Sequence, residues 1–140
     1  RVAAVGAETL CRCIEEIAAG LAVPTPQNHE KATLAPPLTK EMARFAFDQP
    51  AQVIHDQVRG MNPWPAAYFE CEGKKVKGLG SRVHPGEEAA PGTVLSTKPL
   101  VVQCGEGALE LCRVVPEGKK PMEGTAWAAG RRLKAGMPVL

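Results

Sequence analysis

Short apolar segments, separated by closely spaced turn residues, fill residues 66–116. Gly105-Glu106-Gly107 is typical of a hairpin turn, and residues 85–92 form a loop between two such segments. The segments that predict strands are Ala67–Cys71, Lys75–Val83, Thr93–Ser96, Leu100–Cys104 and Ala108–Val115. Five strands in roughly fifty residues indicate a small mainly β domain, and the OB-like five-stranded Greek-key barrel is the candidate at this size.

The residues before this region predict a helix and then a proline-rich segment. Residues 2–20 carry apolar residues at helical spacing, namely Val2, Val5, Leu10, Cys13, Ile14 and Ile17. Residues 23–38 contain Pro24, Pro26, Pro36 and Pro37, which block helix formation and restrict each preceding residue. We therefore expect three parts: a helix in residues 1–22, a linker in residues 23–38, and the barrel domain in residues 39–140.

Two further helices are expected to flank the strands. Asp48 is placed to cap a helix over Gln49–Gly60, and Gly124–Leu133 predicts a short helix near the end. The apolar face of the first would be Val53, Ile54, Val58 and Met61. Between helix and strands, the rigid Asn62-Pro63-Trp64-Pro65 segment predicts a corner with Trp64 packed over the barrel, and the alternative is that Trp64 stacks on a base.

The composition of the chain excludes only a few classes of function. The 140 residues carry a net charge of +2 and a pI near 8.4, below the value of about 9 that is typical of nucleic-acid-binding domains. The five cysteines form no CxxC pair and the three histidines show no metal-ligand spacing, so we expect free thiols, no metal site and a cytoplasmic protein. No apolar run approaches the roughly 20 residues of a membrane span.

Five motifs follow one another along the chain. They are Pro24-Thr25-Pro26-Gln27, Arg59-Gly60-Met61-Asn62-Pro63-Trp64-Pro65-Ala66, Ala90-Pro91-Gly92-Thr93-Val94-Leu95, Cys104-Gly105-Glu106-Gly107-Ala108-Leu109 and Gly118-Lys119-Lys120-Pro121-Met122. In this order they resemble the linker and C-terminal region of the methionyl-tRNA formyltransferase family. The resemblance covers essentially the whole chain, and residues 1–22 resemble the last helix of the family's Rossmann-like catalytic domain.

The resemblance implies a longer enzyme that transfers a formyl group from its co-substrate 10-formyltetrahydrofolate to initiator methionyl-tRNA in translation initiation. It also implies an active site of Asn, His and Asp in the N-terminal catalytic domain, with the first two in an Asn-x-His pattern. This sequence contains no Asn-x-His, and Asn28-His29 are adjacent within the linker. We therefore assign no catalytic residue and no cofactor to these 140 residues, and expect a tRNA-binding role.

Basic residues are the candidates for contact with tRNA phosphates, which supply affinity without reading sequence. Aromatic residues make up only 4% of the chain, which favours contact with the backbone of folded RNA over stacking on single strands. The alternative is an ordinary solvated surface. The predicted RNA-binding residues are Lys40, Arg44, Arg59, Lys119, Lys120, Arg131 and Arg132.

Two other functions remain open at this point. The segment Ser81-Arg82-Val83-His84-Pro85 and the hairpin from Cys104 to Leu111 also resemble the C-terminal region of nucleotide-sugar formyltransferases, which need no RNA. The Asn-Pro-Trp-Pro and Gly-Lys-Lys-Pro-Met segments favour the tRNA enzyme. The third possibility is a structural barrel that supports a catalytic domain.

We predict that the purified 140-residue chain transfers no formyl group, because it lacks the Asn-x-His pair that the resemblance implies for the active site, and acid–base chemistry needs groups within hydrogen-bond reach of the reacting amine. The measurement is formation of formyl-methionyl-tRNA from 10-formyltetrahydrofolate and methionyl-tRNA. A full-length methionyl-tRNA formyltransferase assayed in parallel is the control. Transfer by the 140-residue chain above the protein-free rate would contradict the prediction.

Overall fold

The computed structural model describes residues 2–140 and divides the chain into two compact units, Arg1–Pro36 and Pro37–Leu140. The first unit contains helix α1 (Val2–Ala18) and one 3₁₀ turn at His29–Lys31. The helix prediction is confirmed, two residues shorter than expected. No residue of α1 is buried, and its apolar side chains are exposed, from 56% at Val5 to 86% at Val2. Residues 20–36 are exposed throughout.

The second unit is built on an antiparallel sheet. Its strands are β1 (Tyr68–Cys71), β2 (Lys74–His84), β3 (Val94–Thr97), β4 (Leu100–Gln103), β5 (Ala108–Pro116) and β6 (Met122–Glu123). They pair in the order β1-β2-β5-β4-β3, and β6 pairs with β5. The helices are α2 (Ala51–Gly60) and α3 (Gly124–Gly130), and a 3₁₀ turn spans Glu41–Ala43.

The mainly β architecture with flanking helices is confirmed, and the five expected strands lie where the turns predicted them. The sixth strand, β6, was not predicted, because two residues are too short for any alternating pattern. Closure of the sheet into an OB-like Greek-key barrel stays a prediction.

Four aromatic rings form the centre of the core. Phe45, Phe47, Phe69 and Trp127 have ring centroids 5.2–5.8 Å apart in mostly edge-on arrangements. Such pairs are favourable beyond the area they bury. They join the segment before α2, strand β1 and helix α3, so three separate parts of the chain depend on one cluster.

Two expectations for α2 are wrong. Its N-cap residue is Pro50, and no side chain caps the helix, so Asp48 does not have the predicted role. Its buried face is Ala51, Ile54 and Val58, while Val53 is 51% exposed. The spacings of three and four residues from Ala51 account for this, because they leave Val53 on a different side of the helix.

The expectation that Trp64 packs over the barrel is also wrong, since its side chain is 58% exposed. The corner is connected to the sheet by a hydrogen bond from Asn62. The Asn62 side chain donates a hydrogen bond to the Leu79 carbonyl oxygen at 3.2 Å.

Helix α3 ends earlier than expected, and Arg132, two residues beyond it, has a positive φ of 56° that a right-handed helix does not allow.

Gly124 begins α3 where the helix approaches β5 closely. A Cβ atom added at Gly124 would overlap the Leu111 carbonyl oxygen, and it would lie 3.0 Å from the Leu111 carbonyl carbon and 3.5 Å from Leu100 Cβ. By contrast, a Cβ at Gly130, the last residue of the same helix, would have nothing within 4 Å. The close packing of α3 on β5 therefore requires glycine at Gly124 and not at Gly130.

We expect Gly124→Ala to lower the free energy of unfolding by about 1–3 kcal/mol, the usual cost of forcing atoms into a packed site. Gly130→Ala is the matched control, and it should leave stability unchanged or raise it by up to about 1 kcal/mol through helix propensity. Urea unfolding of both variants measures the difference. Equal effects at the two glycines would contradict the close approach.

Candidate nucleic-acid interface

The β1–β2 hairpin presents a row of lysines on one face of the sheet. In β2, Val76 and Gly78 are buried while Lys75 and Lys77 are exposed, as the period of two in a strand requires. Lys74, the first residue of β2, is exposed as well. Lys75 also lies over the ring of Tyr68, 4.7 Å from the ring centroid, on the neighbouring strand.

A cleft of about 340 Å³ lies between this hairpin, the β5–β6 connection and α3. We call it the hairpin cleft. Its cationic lining residues are Lys74, Lys75, Lys119 and Arg131, and its one carboxylate is Glu117. The Glu117 carboxylate accepts a hydrogen bond from the backbone N–H of Lys75 at 3.2 Å, which joins the hairpin to the β5–β6 connection. The remaining lining is mostly apolar and includes Val76, Met122 and Trp127.

The structure places two of the predicted RNA-binding residues, Lys119 and Arg131, in this cleft. The Arg131 guanidinium donates to Glu72 at 2.6 Å and lies 5.7 Å from the Trp127 ring centroid. Its hydrogen bond with Glu72 raises the pKa of Arg131 and lowers that of Glu72. The guanidinium is therefore held at the cleft wall by one carboxylate and one aromatic ring.

Two more predicted residues lie beside the hairpin. Arg44 forms an ion pair with Glu70 of β1 at 3.2 Å, and Glu70 is opposite Lys75 in the strand register. Lys40 adjoins Glu41, whose pKa is lowered by hydrogen bonds from its own backbone and Thr39, and further by the charges of Lys40 and Lys75. Lys40 and Lys75 therefore act on the same carboxylate.

The other three predicted residues are not among those that line the hairpin cleft. Arg59 lies on α2 and pairs with Asp56 at 2.7 Å, and hydrogen bonds from Gln52 and Arg59 lower the pKa of Asp56. Lys120 and Arg132 are exposed, and within residues 2–140 neither has a carboxylate within 4.0 Å.

Sequence reasoning missed Lys74, Lys75 and Lys77, which lie beside or within the cleft. The available signal was the spacing in Lys74-Lys75-Val76-Lys77, because lysines two apart in a strand share a face. Among residues 2–140, every ion pair to a carboxylate is made by arginine or histidine, and no lysine ammonium has a carboxylate within 4.0 Å. Together with Arg113 and Arg132, the exposed lysines are thus the cations without a carboxylate partner in residues 2–140.

A second polar cluster surrounds Glu110, whose side chain is only 10% exposed. One carboxylate oxygen accepts from His84 Nε2 at 2.7 Å, and the other from Arg82 Nη1 and Cys112 Sγ, both at 3.4 Å. Burial raises the pKa of Glu110, but the hydrogen bonds from His84 and Cys112 and the charge of Arg82 outweigh it and lower the pKa overall. Burial and the nearby carboxylate raise the pKa of Cys112 to about 11.

This cluster connects two strands of the sheet. Arg82 and His84 lie on β2, and Glu110 and Cys112 on β5, so the contacts cross the pairing of the two longest strands. Both oxygens of Glu110 are engaged, and the thiol is protonated at neutral pH. Because the Glu110 carboxylate and the Cys112 thiol are held within the β2–β5 pair, we assign them a structural role.

The comparisons with known proteins agree with this architecture. Residues 37–132 match the family model described as the formyl transferase C-terminal domain. The chain belongs to this family.

Curated relatives that match the chain are named methionyl-tRNA formyltransferase. That of Solibacter usitatus is 45% identical over 134 residues, covering 95% of this chain and 43% of the relative. That of Moorella thermoacetica is 42% identical over 133 residues, covering 93% of this chain and 43% of the relative. The chain therefore spans less than half the length of these curated relatives.

Among solved structures, HypX from Aquifex aeolicus has a similar fold. One variant aligns with a TM-score of 0.57 and 20% identity over 91% of this chain and 24% of that chain. HypX in complex with tetrahydrofolic acid aligns with a TM-score of 0.57 and 18% identity over 86% of this chain and 22% of that chain. At these identities the likeness shows the fold alone.

None of the helices in residues 2–140 has the length and hydropathy needed to cross a membrane.

We expect Glu110→Gln to lower the free energy of unfolding by about 1.5–3 kcal/mol near neutral pH, the usual contribution of hydrogen bonds to a charged group. Because the pKa of Glu110 is lowered from 4.5, its contribution is complete above that value and disappears as pH falls through the lower folded-state pKa. The difference between wild type and variant should therefore be constant well above pH 4.5 and shrink at lower pH. Glu88→Gln, at an exposed site, is the control, and a pH-independent difference at Glu110 would contradict the ionised network.

Proposed function

We propose that this chain is the C-terminal, tRNA-binding portion of a methionyl-tRNA formyltransferase. The complete enzyme would formylate initiator methionyl-tRNA with 10-formyltetrahydrofolate in the cytoplasm during translation initiation. The N-terminal catalytic domain would carry the chemistry, and the present chain would bind the RNA without taking part in proton transfer. Residues 2–140 contain no Asn-x-His pair that fits the folate-dependent step, so no part of that step is assigned to them.

The observation that carries this proposal is similarity along nearly the entire chain to proteins of one name. The relative from Solibacter usitatus matches 95% of the chain at 45% identity, and the match includes the segments on both sides of the β domain. A nucleotide-sugar enzyme is not favoured by these relatives. The proposed organisation is a final catalytic-domain helix in residues 1–22, a linker in residues 23–38 and an OB-like barrel in residues 39–140.

The distribution of charge supports the RNA-binding part. The net charge is only +2, yet four cations and a single carboxylate line the hairpin cleft, and Lys77 lines a second cavity that shares Lys75 and Lys119 with it. A concave site lined by one sign of charge concentrates its field, which raises the local concentration of an oppositely charged partner. We include Lys40, Arg44, Lys119 and Arg131 in the proposed surface, with Arg59, Lys120 and Arg132 at positions outside the cleft.

We predict weak, salt-sensitive binding of the chain to initiator tRNA, measured by filter binding. If about three to five phosphates are neutralised, log K should fall against log salt with a slope of roughly −2 to −4. Lys119→Ala combined with Lys120→Ala should weaken all tRNAs alike and make this slope shallower by about 1–2, because phosphate contacts carry no sequence information. Lys98→Ala, in the β3–β4 turn, is the control and should behave as wild type.

Two results would contradict the proposal. One is the absence of detectable tRNA binding at low salt by the folded chain. The other is an equal loss of affinity in the Lys98 control and the Lys119/Lys120 variant, which would mean that the cations act as a diffuse surface. Either result would favour a structural barrel that supports the catalytic domain.

A further inference from the structure

The hairpin cleft has two chemically different parts. Its floor consists of buried or half-buried apolar side chains, among them Val76, Met122 and Trp127. Its rim carries the ammonium groups of Lys74 and Lys119 and the guanidinium of Arg131. A site meant only for a run of backbone phosphates needs no apolar floor. This one suits a ligand with an apolar body and a negative group.

The size of the cleft limits the ligand. A volume of about 340 Å³ is at the lower end of the range found for small-molecule sites, which begins near 300 Å³. An isolated inorganic anion is much smaller, and a double helix is much larger. A single nucleotide, with its planar base and one phosphate, matches both the volume and the division into an apolar floor and a cationic rim.

The Arg131 guanidinium is held at the cleft by a single carboxylate. Its Nη2 donates to Glu72, whereas its Nε is buried, so a ligand in the cleft would be bound through the terminal Nη groups. Arginine typically binds a phosphate or carboxylate through two donors at once. The Glu72 side chain is 70% exposed, so its displacement into water would sacrifice little burial and free the guanidinium for an incoming phosphate.

The lysines of the rim are also available. Neither Lys74 nor Lys119 has a carboxylate within 4.0 Å in residues 2–140. Glu117, the one acid of the lining, is engaged by a backbone N–H of the hairpin. Binding of an anion therefore breaks no existing lysine ion pair.

We propose that the hairpin cleft is a binding site for one phosphorylated nucleotide unit, with the phosphate on the Lys74, Lys119 and Arg131 rim and the base over the apolar floor. The nucleotide is either part of a bound RNA or a free mononucleotide. In the first case the proposal rests on the RNA-binding function proposed above and locates one contact of it. In the second case it is an additional ligand of the domain.

The test uses the fluorescence of Trp127 in the floor. The chain has two tryptophans, so Trp64→Phe, a change at an exposed position, leaves Trp127 as the only reporter. The folded 140-residue variant is titrated with 5′-AMP, with adenosine and with inorganic phosphate. We expect a saturable change with 5′-AMP, and affinities at least about tenfold lower for adenosine and for phosphate, since each supplies only one half of the ligand.

Lys74→Ala combined with Lys119→Ala should weaken 5′-AMP binding by about tenfold or more, whereas Lys98→Ala should change it less than about twofold. Urea unfolding checks that the variants remain folded. The proposal is overturned if 5′-AMP gives no saturable change, if adenosine binds as tightly as 5′-AMP, or if the double variant binds 5′-AMP like the control.

A competition experiment distinguishes bound RNA from a free mononucleotide as the source of the ligand. It also tests the nucleotide site separately from the RNA-binding function. If the nucleotide belongs to RNA, tRNA displaces 5′-AMP from the cleft, and if the site serves free nucleotides, the two bind independently. Binding of 5′-AMP without any tRNA binding would contradict the RNA-binding function and leave the nucleotide site intact. Binding of tRNA without 5′-AMP binding would contradict the nucleotide site and leave the RNA-binding function intact.

Discussion

The pairing of β2 with β5 is the interaction on which the rest of this domain depends. These are its longest strands, with eleven and nine residues, and together they form the centre of the sheet. The register of β2 against β5 shifts between Gly78 and Ser81. A Cβ at Gly78 would lie 3.4 Å from Val58, so α2 packs directly on this strand. The Glu110 cluster fastens the same pair from within, because its carboxylate bonds residues of both strands.

The sequence predicted this architecture well because its signals are local. Glycine and proline mark the turns, and strand patterns between them need no tertiary information. The failures concern features set by packing. Val53 is apolar and helical, but which face of α2 is buried depends on where β2 lies. Asp48 is a good capping residue by type, yet the Asp48 carbonyl closely approaches Gly105, so tertiary contacts fix this segment and the helix begins after Pro50.

In the candidate site, too, local signals were read correctly and features set by packing were missed. Lys119 and Arg131 were identified from dense basic runs, but their proximity arises because the β5–β6 connection and α3 both reach the β1–β2 hairpin. Neighbours within the same runs, Lys120 and Arg132, do not line the cleft. The density of basic residues along the sequence therefore identified the right regions, but only some of the residues that line the cleft. Lys74 and Lys75 belong to the same cleft although they are more than forty residues from Lys119, a separation that no sequence window detects.

A nearly neutral chain can still hold a concentrated cationic site if its acids are committed elsewhere. Glu70, Glu72, Asp56 and Glu110 each bind an arginine, and Glu117 accepts from a backbone N–H. Arginine is suited to such fixed, directional contacts, whereas the lysine ammonium is a mobile and strongly hydrated charge. The acids that pair with arginine therefore leave the lysines of the cleft without a carboxylate within 4.0 Å in residues 2–140. The small net charge is compatible with a surface that attracts phosphate, because the local field depends on how the charges are distributed over the surface and not on their sum alone.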